Sequence, residues 1–519
     1  MSEGAATPHA DRLQPAHSPR SRRAPGQVRM IAATLAAVVV GAGLAAPALA
    51  QPVAAQPVAG QPLAAKPAPD AVSADATGTG TSTDTGTGTG TGTEWTRPFV
   101  PPELREVLNP FAVSMLADSV PASPVENAEG LWGQAGPFYD EPPIDDSMPM
   151  GHLLNSEPFE VIYNGIKPAH IRAWRTMYVT EDVAGNRVIS TGVIMVPDDG
   201  RDNSSRPVVA YQQINDSAGA KCHPSSQWTG GDFMDFSSIA ALGPLAQFLG
   251  EGAAVVISDV GNDADPGVHT VFAGRYAGMA LLNGLRAAYD VPGAGVNPNN
   301  DVGVFGVAGG GVGAAFAIEY QPWYAPEIPV TATLLEAMAV DQRTFIDFAD
   351  GHLGSGFVLA TLVGLEPQYP EMRLNDKLNP AGRFLADIFR DACQTPFYYL
   401  TPFLPQHTLF TSEIPPADEP DFQHVFRDNS LGISNPTADP ALRPPGKVLV
   451  TSCAADDSIM VVTPAQDARN LVDSYRAQGV DVHYHGLDCG PGVMITDLYR
   501  WMTELFGMHA VNWLMDEIR

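Results

Sequence analysis

The sequence predicts an α/β protein with a mainly parallel sheet and helices on both faces. Segments typical of strands and of helices alternate along the chain, and several of the strand-like segments are short and apolar. One of them runs into a glycine-rich turn that opens a helix. Short apolar strands are typical of parallel sheets, whose two faces are both buried. Their alternation with helices favours strand–helix–strand units over this length.

The elements can be placed individually. Runs of β-branched and apolar residues predict the strands, and leucine and alanine at helical spacing, as at Leu281, Leu285 and Ala288, predict a helix. The predicted strands lie at 188–197, 207–211, 253–259, 302–305, near Val330, at 448–451 and at 480–484, and the predicted helices lie at 279–289 and from 314 to 320.

The charge balance restricts the partners of the protein. The 519 residues include 29 Lys and Arg against 58 Asp and Glu, a formal net charge of -29. A chain this acidic is repelled by nucleic acid and by anionic lipid headgroups. We therefore expect no nucleic-acid partner.

The amino-terminal residues predict export. Four arginines between residues 20 and 29 precede an uncharged apolar run at 30–44, and the small residues of 46–50 form a cleavage site. This pattern predicts a signal peptide over residues 1–50. The alternative is an uncleaved anchor, for which the apolar run is short. The Arg22-Arg23 pair leaves a twin-arginine route open. We expect a secreted or cell-envelope location.

A low-complexity segment follows. Residues 51–94 contain Gln-Pro-Val-Ala repeats and then a Thr-Gly alternation, which have almost nothing to bury and predict a disordered spacer. The spacer makes an association with the cell envelope conceivable. The folded domain is predicted at 95–519, with order beginning near Trp95.

One stretch, at about 354–421, interrupts the alternation of strands and helices. It is helical in pattern and rich in aromatic residues, and it lies between the strand near Val330 and the late strands. We interpret it as a helical cap inserted over the carboxyl edge of the sheet. Its apolar residues line an acyl-binding tunnel or, as is more usual at helical spacing, pack the core of the cap.

The four cysteines favour two disulfides, because an even count in an exported chain is typical of disulfide bonding. Four cysteines allow three connectivities. Of these we favour Cys222–Cys393 with Cys453–Cys489, since the second pair would join two neighbouring late segments.

The glycine-rich turn has the pattern of a nucleophile elbow without its nucleophile. An elbow is a strand, then Gly-x-nucleophile-x-Gly, then a helix, and it holds the nucleophile above the sheet. Here the turn is Gly306-Val307-Ala308-Gly309-Gly310, so a methyl group stands where an attacking oxygen belongs. No Ser, Cys or Thr occurs between Asp301 and Tyr320.

Several short motifs resemble those of the secretory lipase family, the group of the yeast A-type lipase and its actinobacterial relatives. The resemblance covers about 138–514 and implies an α/β-hydrolase fold acting on lipids or esters without a cofactor. The motifs are Phe138-Tyr139 with Pro142-Pro143, Gly151 with Leu153-Leu154, the strand at 192–197, Asp216 with Cys222-His223-Pro224-Ser225, and Tyr324-Ala325-Pro326-Glu327.

The resemblance implies roles for individual residues. Ala308 matches the nucleophile, the backbone N–H of Gly309 an oxyanion donor, and Asp216 the side chain of the oxyanion site. Asp457 matches the triad acid. The position of the histidine base falls on Arg500, which cannot accept a proton at neutral pH. Two of three triad positions are therefore changed.

Alternatives remain open for several of these roles. Asp456 could be the acid in place of Asp457, and Asp216 could be a turn residue. His485 is the fallback base, because it follows the acid at the end of a strand. Since His483 and His485 share one strand face, both could instead bind a metal, with Asp488 and Cys489 nearby. We expect no metal, and we expect His509, in the last helix, to be structural or exposed.

Three functions fit these residues. The first is a catalytically inactive lipase-like protein that binds a lipid or ester ligand. The second is a working lipase or carboxylesterase with a non-standard nucleophile or a water activated by His485. The third is a serine-independent chemistry of the same fold, such as a lyase. Whether the chain is an enzyme is left open by its sequence.

Overall fold

The computed structural model describes most of the chain beyond residue 100. The described residues are 103, 106, 109–126, 136–163, 165–214, 217–231, 236–261, 270–432, 443–458, 461–497, 500, 503–504 and 507–519. The predicted signal peptide (1–50) and spacer (51–94) lie outside them. Among the described residues, no helix has the length and apolar character needed to cross a bilayer.

Nine strands form one mixed sheet. They are β1 Leu153–Phe159, β2 Ile171–Glu181, β3 Arg187–Pro197, β4 Val208–Gln212, β5 Ala254–Ser258, β6 Val302–Val307, β7 Val330–Glu336, β8 Lys447–Cys453 and β9 Asp481–Leu487. Their order is β9-β8-β7-β6-β4-β5-β3-β2-β1. The six strands from β9 to β5 are parallel, and β3, β2 and β1 continue the sheet antiparallel. The mainly parallel sheet is confirmed, and β1 and β2 are strands that the sequence analysis missed.

Helices connect and cover the strands. They are α1 Pro110–Ala117, α2 Pro224–Gln227, α3 Phe236–Gly250, α4 Gly274–Tyr289, α5 Gly309–Tyr324, α6 Gln342–Ala349, α7 Gly356–Leu365, α8 Leu374–Lys377, α9 Pro380–Phe389, α10 Thr395–Tyr399, α11 Gln423–Asp428, α12 Ala465–Ala477, α13 Pro491–Thr496 and α14 Val511–Glu517. The structure begins α4 and α5 five residues earlier than the sequence analysis placed them, because glycines that lower helix propensity are tolerated where the helix packs tightly.

The core has two main layers, one on each face of the sheet. Helices α4, α5 and α12 pack their apolar residues against one face, and α3 and α14 pack against the other. The strands facing both layers are almost fully buried, as their apolar sequences predict. Helices α7 to α10 fall inside the region predicted as a cap, between β7 and β8.

Tight contacts fix the junction of β6 and α5. A Cβ added to Gly310 would lie 2.2 Å from the carbonyl oxygen of Gln212 at the end of β4. A Cβ added to Gly306 would lie 2.5 Å from the carbonyl oxygen of Gly310. The first turn of α5 therefore rests directly on the backbone of two neighbouring strands, which only glycine permits.

We predict that Gly310→Ala lowers the free energy of unfolding by about 1–3 kcal/mol, because the added methyl collides with backbone that cannot turn aside. Urea unfolding measures the change. Gly492→Ala, also in a helix but with no atom within 4 Å of the added Cβ, is the matched control and should be unchanged or stabilised by about 0.5–1 kcal/mol. Equal midpoints for Gly310→Ala and the wild type would contradict this account of the junction.

Candidate functional site

The turn between β6 and α5 holds Ala308 in a strained conformation. Ala308 has φ 52° and ψ -123°, a positive φ that residues with a side chain rarely adopt. Its N–H donates to the carbonyl oxygen of Glu336 at 2.9 Å, and its own carbonyl accepts from the N–H of Val312. Such a conformation costs on the order of 1–3 kcal/mol and persists because the surrounding backbone imposes it. The turn thus keeps the geometry of an elbow and presents a methyl group at its apex.

Ala308 lines a cavity of about 90 Å³. The floor is formed at the carboxyl ends of three adjacent strands, by Val307 at the end of β6 with Ala308 after it, Ala337 after β7 and Ser452 in β8. The walls come from residues in or near α6, α7, α10 and α12 and from the segment before α12. The cavity therefore occupies the edge of the sheet where ligands of open α/β folds bind.

Two disulfides stand beside the cavity, and both predicted pairings are confirmed. Cys222 is bonded to Cys393, which is followed directly by the lining residue Gln394. Cys453 is bonded to Cys489, and both of these cysteines line the cavity themselves. The bonds join the loop after β4 to the start of α10, and the end of β8 to the loop after β9. They limit how far these walls can separate.

The predicted acid lies at the rim of this region. Asp457 is exposed in the turn after β8 and is followed by the lining residue Ser458. Its carboxyl oxygen lies 3.2 Å from the position that a Cβ on Gly490 would take. The alternative acid, Asp456, accepts a hydrogen bond from the N–H of Ala465 at 2.7 Å. Asp456 therefore acts as a cap at the start of α12.

The residue at the predicted base position is engaged elsewhere. Arg500 Nε donates to Glu504 Oε1, four residues further along the chain, at 2.7 Å. The Arg500 side chain is 45% exposed, whereas that of Glu504 is 3% exposed. This ion pair holds the guanidinium charge at the position where the resemblance places an imidazole.

His485 lies at the end of β9, half-buried, and its ring centroid is 6.0 Å from that of His509. Burial, with a smaller contribution from the charge of Arg500, lowers the pKa of His485. Burial also lowers the pKa of His483 to about 4. Both rings are therefore neutral at pH 7.

Cys489 cannot be a ligand of the metal site that the sequence analysis left as an alternative. Cys489 is oxidised in its disulfide, so it has no thiolate to offer a metal. Within the described part of the chain, no group of three His, Cys, Asp or Glu residues is placed to hold an ion.

Asp216, the predicted oxyanion side chain, lies outside the described residues, and Gly309 is the buried first residue of α5.

A row of polar residues on three adjacent strands, which begins beside the floor residue Val307, was missed by the sequence analysis. Val307, Glu336, Thr451 and His485 are direct neighbours across β6, β7, β8 and β9. The Thr451 hydroxyl donates to Glu336 Oε2, and His509 Nε2 lies 3.9 Å from the same oxygen. Among the described residues, Glu336 Oε1 has no hydrogen-bond partner. A carboxylate ending an apolar strand is the only trace of this row in the sequence.

Burial disfavours the charged forms of both partners in the Glu336–His509 contact. Burial, reinforced by the negative charge of Glu504, raises the pKa of Glu336 well above its ordinary value. Burial lowers the pKa of His509 to about 3. The expectation that His509 is structural or exposed resolves to the first, because its side chain is buried in a short 3-10 turn before α14.

The Cys222-His223-Pro224-Ser225 segment is anchored by a second buried carboxyl. Asp259 accepts hydrogen bonds from the hydroxyls of Ser225 at 2.5 Å and Thr191 at 2.6 Å. His223 Nδ1 lies 3.9 Å from the same carboxyl. Burial raises the pKa of Asp259 to about 6. This network fixes the loop that carries Cys222, and its serine is fully buried.

Comparisons with known proteins identify the family of the chain and agree with its fold. A family model described as secretory lipase matches residues 235–516. A probable inactive lipase of Mycobacterium tuberculosis (strain CDC 1551 / Oshkosh) is 27% identical over 71% of this chain and 81% of that protein. Lipase A of Arthroderma benhamiae is 28% identical over 52% of this chain and 58% of that protein. The X-ray structure of Candida antarctica lipase A in its closed state superposes with a TM-score of 0.59 at 20% identity, over 67% of this chain and 79% of that one, which shows the fold.

We predict that Glu336→Gln gains stability relative to the wild type as the pH rises. Because the folded-state pKa of Glu336 is raised, the stability that its carboxyl contributes is fully present below about pH 4.5. This contribution is lost as the pH rises through the folded-state pKa, with a slope of up to about 1.4 kcal/mol per pH unit in the free energy of unfolding. Glutamine still accepts from Thr451 and has no proton to lose.

Urea unfolding at pH 5 and at pH 9 measures the difference between the two proteins. Glu413→Gln, at an exposed position, is the matched control for the lost carboxyl and should follow the wild type at both pH values. Parallel pH profiles for Glu336→Gln and the wild type would mean that the buried carboxyl is not held neutral.

Proposed function

Because the chain belongs to the secretory lipase family, we propose that it is an exported lipase-like protein that binds a lipid or ester ligand without cleaving it. The observation that carries the proposal is the methyl group of Ala308, which stands at the apex of the strained turn and lines the cavity. A methyl group cannot attack a carbonyl carbon, so no acyl-enzyme can form at this position.

The predicted base position supports the same function. A catalytic triad acts as a unit, so loss of the nucleophile alone removes most of the acceleration. Here Arg500, paired with Glu504, would also leave a restored serine without a proton acceptor. The relative from Mycobacterium tuberculosis bears the name of a probable inactive lipase, which is consistent with such a loss.

Other hydroxyls at the cavity bear on the active-lipase alternative. Ser452 and Ser458 both line the cavity. The Ser452 hydroxyl is 3.1 Å from the phenol oxygen of Tyr484 and donates to the carbonyl of Cys453 at 3.3 Å. Neither contact is with an imidazole, and a phenol is a poor base at neutral pH, so these contacts do not activate Ser452 as a nucleophile.

The proposed function includes a folded domain with a cap. The lipase-like domain extends over 95–519, and the helices of 354–421 serve as the cap that covers the bound ligand. Phe357, Gln394 and Tyr398, all within that segment, line the cavity. Export through a signal peptide at 1–50 suits a protein with two disulfides. Association with the cell envelope through the spacer stays a prediction from the sequence.

We predict that the purified protein does not hydrolyse p-nitrophenyl butyrate or palmitate at lipase-like rates, and that Ala308→Ser alone does not restore hydrolysis. The double variant Ala308→Ser with Arg500→His should restore it, because the serine then regains a base. The rate of p-nitrophenol release measures the hydrolytic activity of all three proteins. A hydrolysis rate of up to about a thousandfold above that of the uncatalysed reaction in water is compatible with the proposal.

Two controls assign the result. Ala308→Ser with Arg427→His carries the same pair of changes with the histidine at an exposed position in α11, and it should stay inactive. If Ala308→Ser alone is active, adding His485→Ala tests whether His485 is the base. A wild-type protein as fast as a lipase, with no gain from Ala308→Ser, would overturn the proposed function.

A further inference from the structure

Trp323, near the end of α5, is an exposed aromatic side chain on a fixed support. It is 53% exposed, and its ring makes edge-to-face contacts with the rings of Tyr320 and Tyr324, at 5.4 and 5.6 Å between centroids. Tyr320 is buried and Tyr324 is half-buried. A single exposed apolar side chain is ordinary on a protein surface. Trp323 differs because two anchored rings hold it, so the indole is presented in a fixed orientation.

An ion pair adjoins the first of these supporting rings. The Arg275 guanidinium lies 6.0 Å from the centroid of the Tyr320 ring, a distance at which a cation and an aromatic ring attract each other. Arg275 Nη1 lies 3.4 Å from Asp428 Oδ2 at the end of α11. Both charged side chains are only partly exposed. They therefore hold a donor and an acceptor in nearly fixed positions.

A second ion pair adjoins Tyr324 in the same way. The Arg286 guanidinium lies 5.2 Å from the centroid of the Tyr324 ring, and its Nε donates to Glu327 Oε1 at 2.6 Å. Arg286 also donates to the amide oxygen of Asn283 and to the carbonyl of Tyr324. Burial opposes the ionisation of Glu327, but the bond from Arg286 prevails and lowers the pKa of that carboxyl. Trp323 thus contacts two rings, each with its own arginine–carboxylate pair.

The exposed apolar surface at this place is small. Within α4, α5 and α11, all of whose residues the structure describes, no large apolar side chain other than Trp323 is exposed. A stable protein interface buries about 800 Å² on each partner around an apolar centre. One half-exposed indole among ion pairs is too small and too polar for such a centre. Its size suits a single sugar ring.

The chemistry of the surface also suits a sugar. A pyranose has polarised C–H groups on its faces, and these are attracted to the negative face of an aromatic ring. Its hydroxyls can accept from a guanidinium and donate to a carboxylate, and this surface offers both groups twice. Each arginine already has a carboxylate partner, and the formal net charge of -29 repels acidic sugars. A neutral sugar is therefore favoured.

We propose that the surface around Trp323 binds a neutral oligosaccharide, with one sugar ring stacked on the indole and the hydroxyls of neighbouring rings bonded to the two arginine–carboxylate pairs. The motif Tyr324-Ala325-Pro326-Glu327, which has no other role in the proposed function, supplies one supporting ring and one carboxylate. The 16-residue helix α5 begins beside Ala308 and carries Trp323 near its end, which separates the two residues by about 20 Å. The site is thus distinct from the cavity and does not depend on the proposed function.

Isothermal titration calorimetry of the purified full-length protein tests the inference. The neutral probes are maltotetraose, cellotetraose and tetra-N-acetylchitotetraose, and the acidic probe is tetragalacturonate. At least one neutral probe should bind with a Kd of about 1 mM or tighter, and about tenfold or more tighter than tetragalacturonate. Absence of binding by all three neutral probes, or tightest binding of tetragalacturonate, would overturn the inference.

Three variants locate the binding. Trp323→Ala should weaken it by about tenfold or more, whereas Trp323→Phe keeps a flat ring and should retain most of the affinity. Phe384→Ala removes a ring of α9 that is 61% exposed, and it should leave the affinity unchanged. An unchanged Kd in Trp323→Ala, an equal loss in Trp323→Phe, or the same loss in Phe384→Ala would each contradict stacking on this indole.

Sedimentation velocity examines the other occupant that an exposed tryptophan suits, a second copy of the chain. The wild type and Trp323→Ala should sediment as the same species. A dimer of the wild type that Trp323→Ala dissociates would identify the surface as a contact between two copies and would overturn the inference.

Discussion

The close approach of α5 to the ends of β4 and β6 is the constraint on which the site depends. Gly310 lies against the carbonyl of Gln212, and Gly306 lies against the first turn of α5. No other residue type fits these contacts, and Ala308, between the two glycines, has a positive φ. The turn keeps this strain although its apex has no nucleophile, which suits a protein that still uses the edge of the sheet to hold a ligand.

Burial disfavours charge on the carboxyls that lie within the fold near that edge. Two buried carboxyls, Glu336 at the end of β7 and Asp259 beside the Cys222 loop, both have raised pKa values because burial disfavours their ionised forms. The cationic group of Arg500 is directed to Glu504. A polar but largely uncharged layer gives little help to a reaction that must stabilise developing charge.

How much could be predicted from the sequence depends on the range of the interactions involved. The turn at 306–310 was predicted because its glycine spacing is a local pattern. The parallel strands were predicted for the same reason, since each is marked by a local run of apolar residues. The favoured disulfide pairs were confirmed, with Cys453 and Cys489 at the ends of adjacent strands. The strand Ile171–Glu181 was missed because polar and apolar residues are mixed along it. It is an antiparallel strand that pairs with the edge strand of the sheet. The row from Glu336 to His485 was missed because it is formed by the register of three strands, which no local sequence pattern reports.

The most direct measurement of the central claim is the intact mass of the wild-type protein after incubation with a fluorophosphonate probe, which forms a covalent bond with any activated hydroxyl. An unmodified mass is predicted, because a methyl group occupies the apex of the turn and the contacts of the Ser452 hydroxyl with Tyr484 and Cys453 do not activate it. A stoichiometric phosphonyl adduct mapped by peptide sequencing to a cavity residue such as Ser452 or Ser458 would contradict the account.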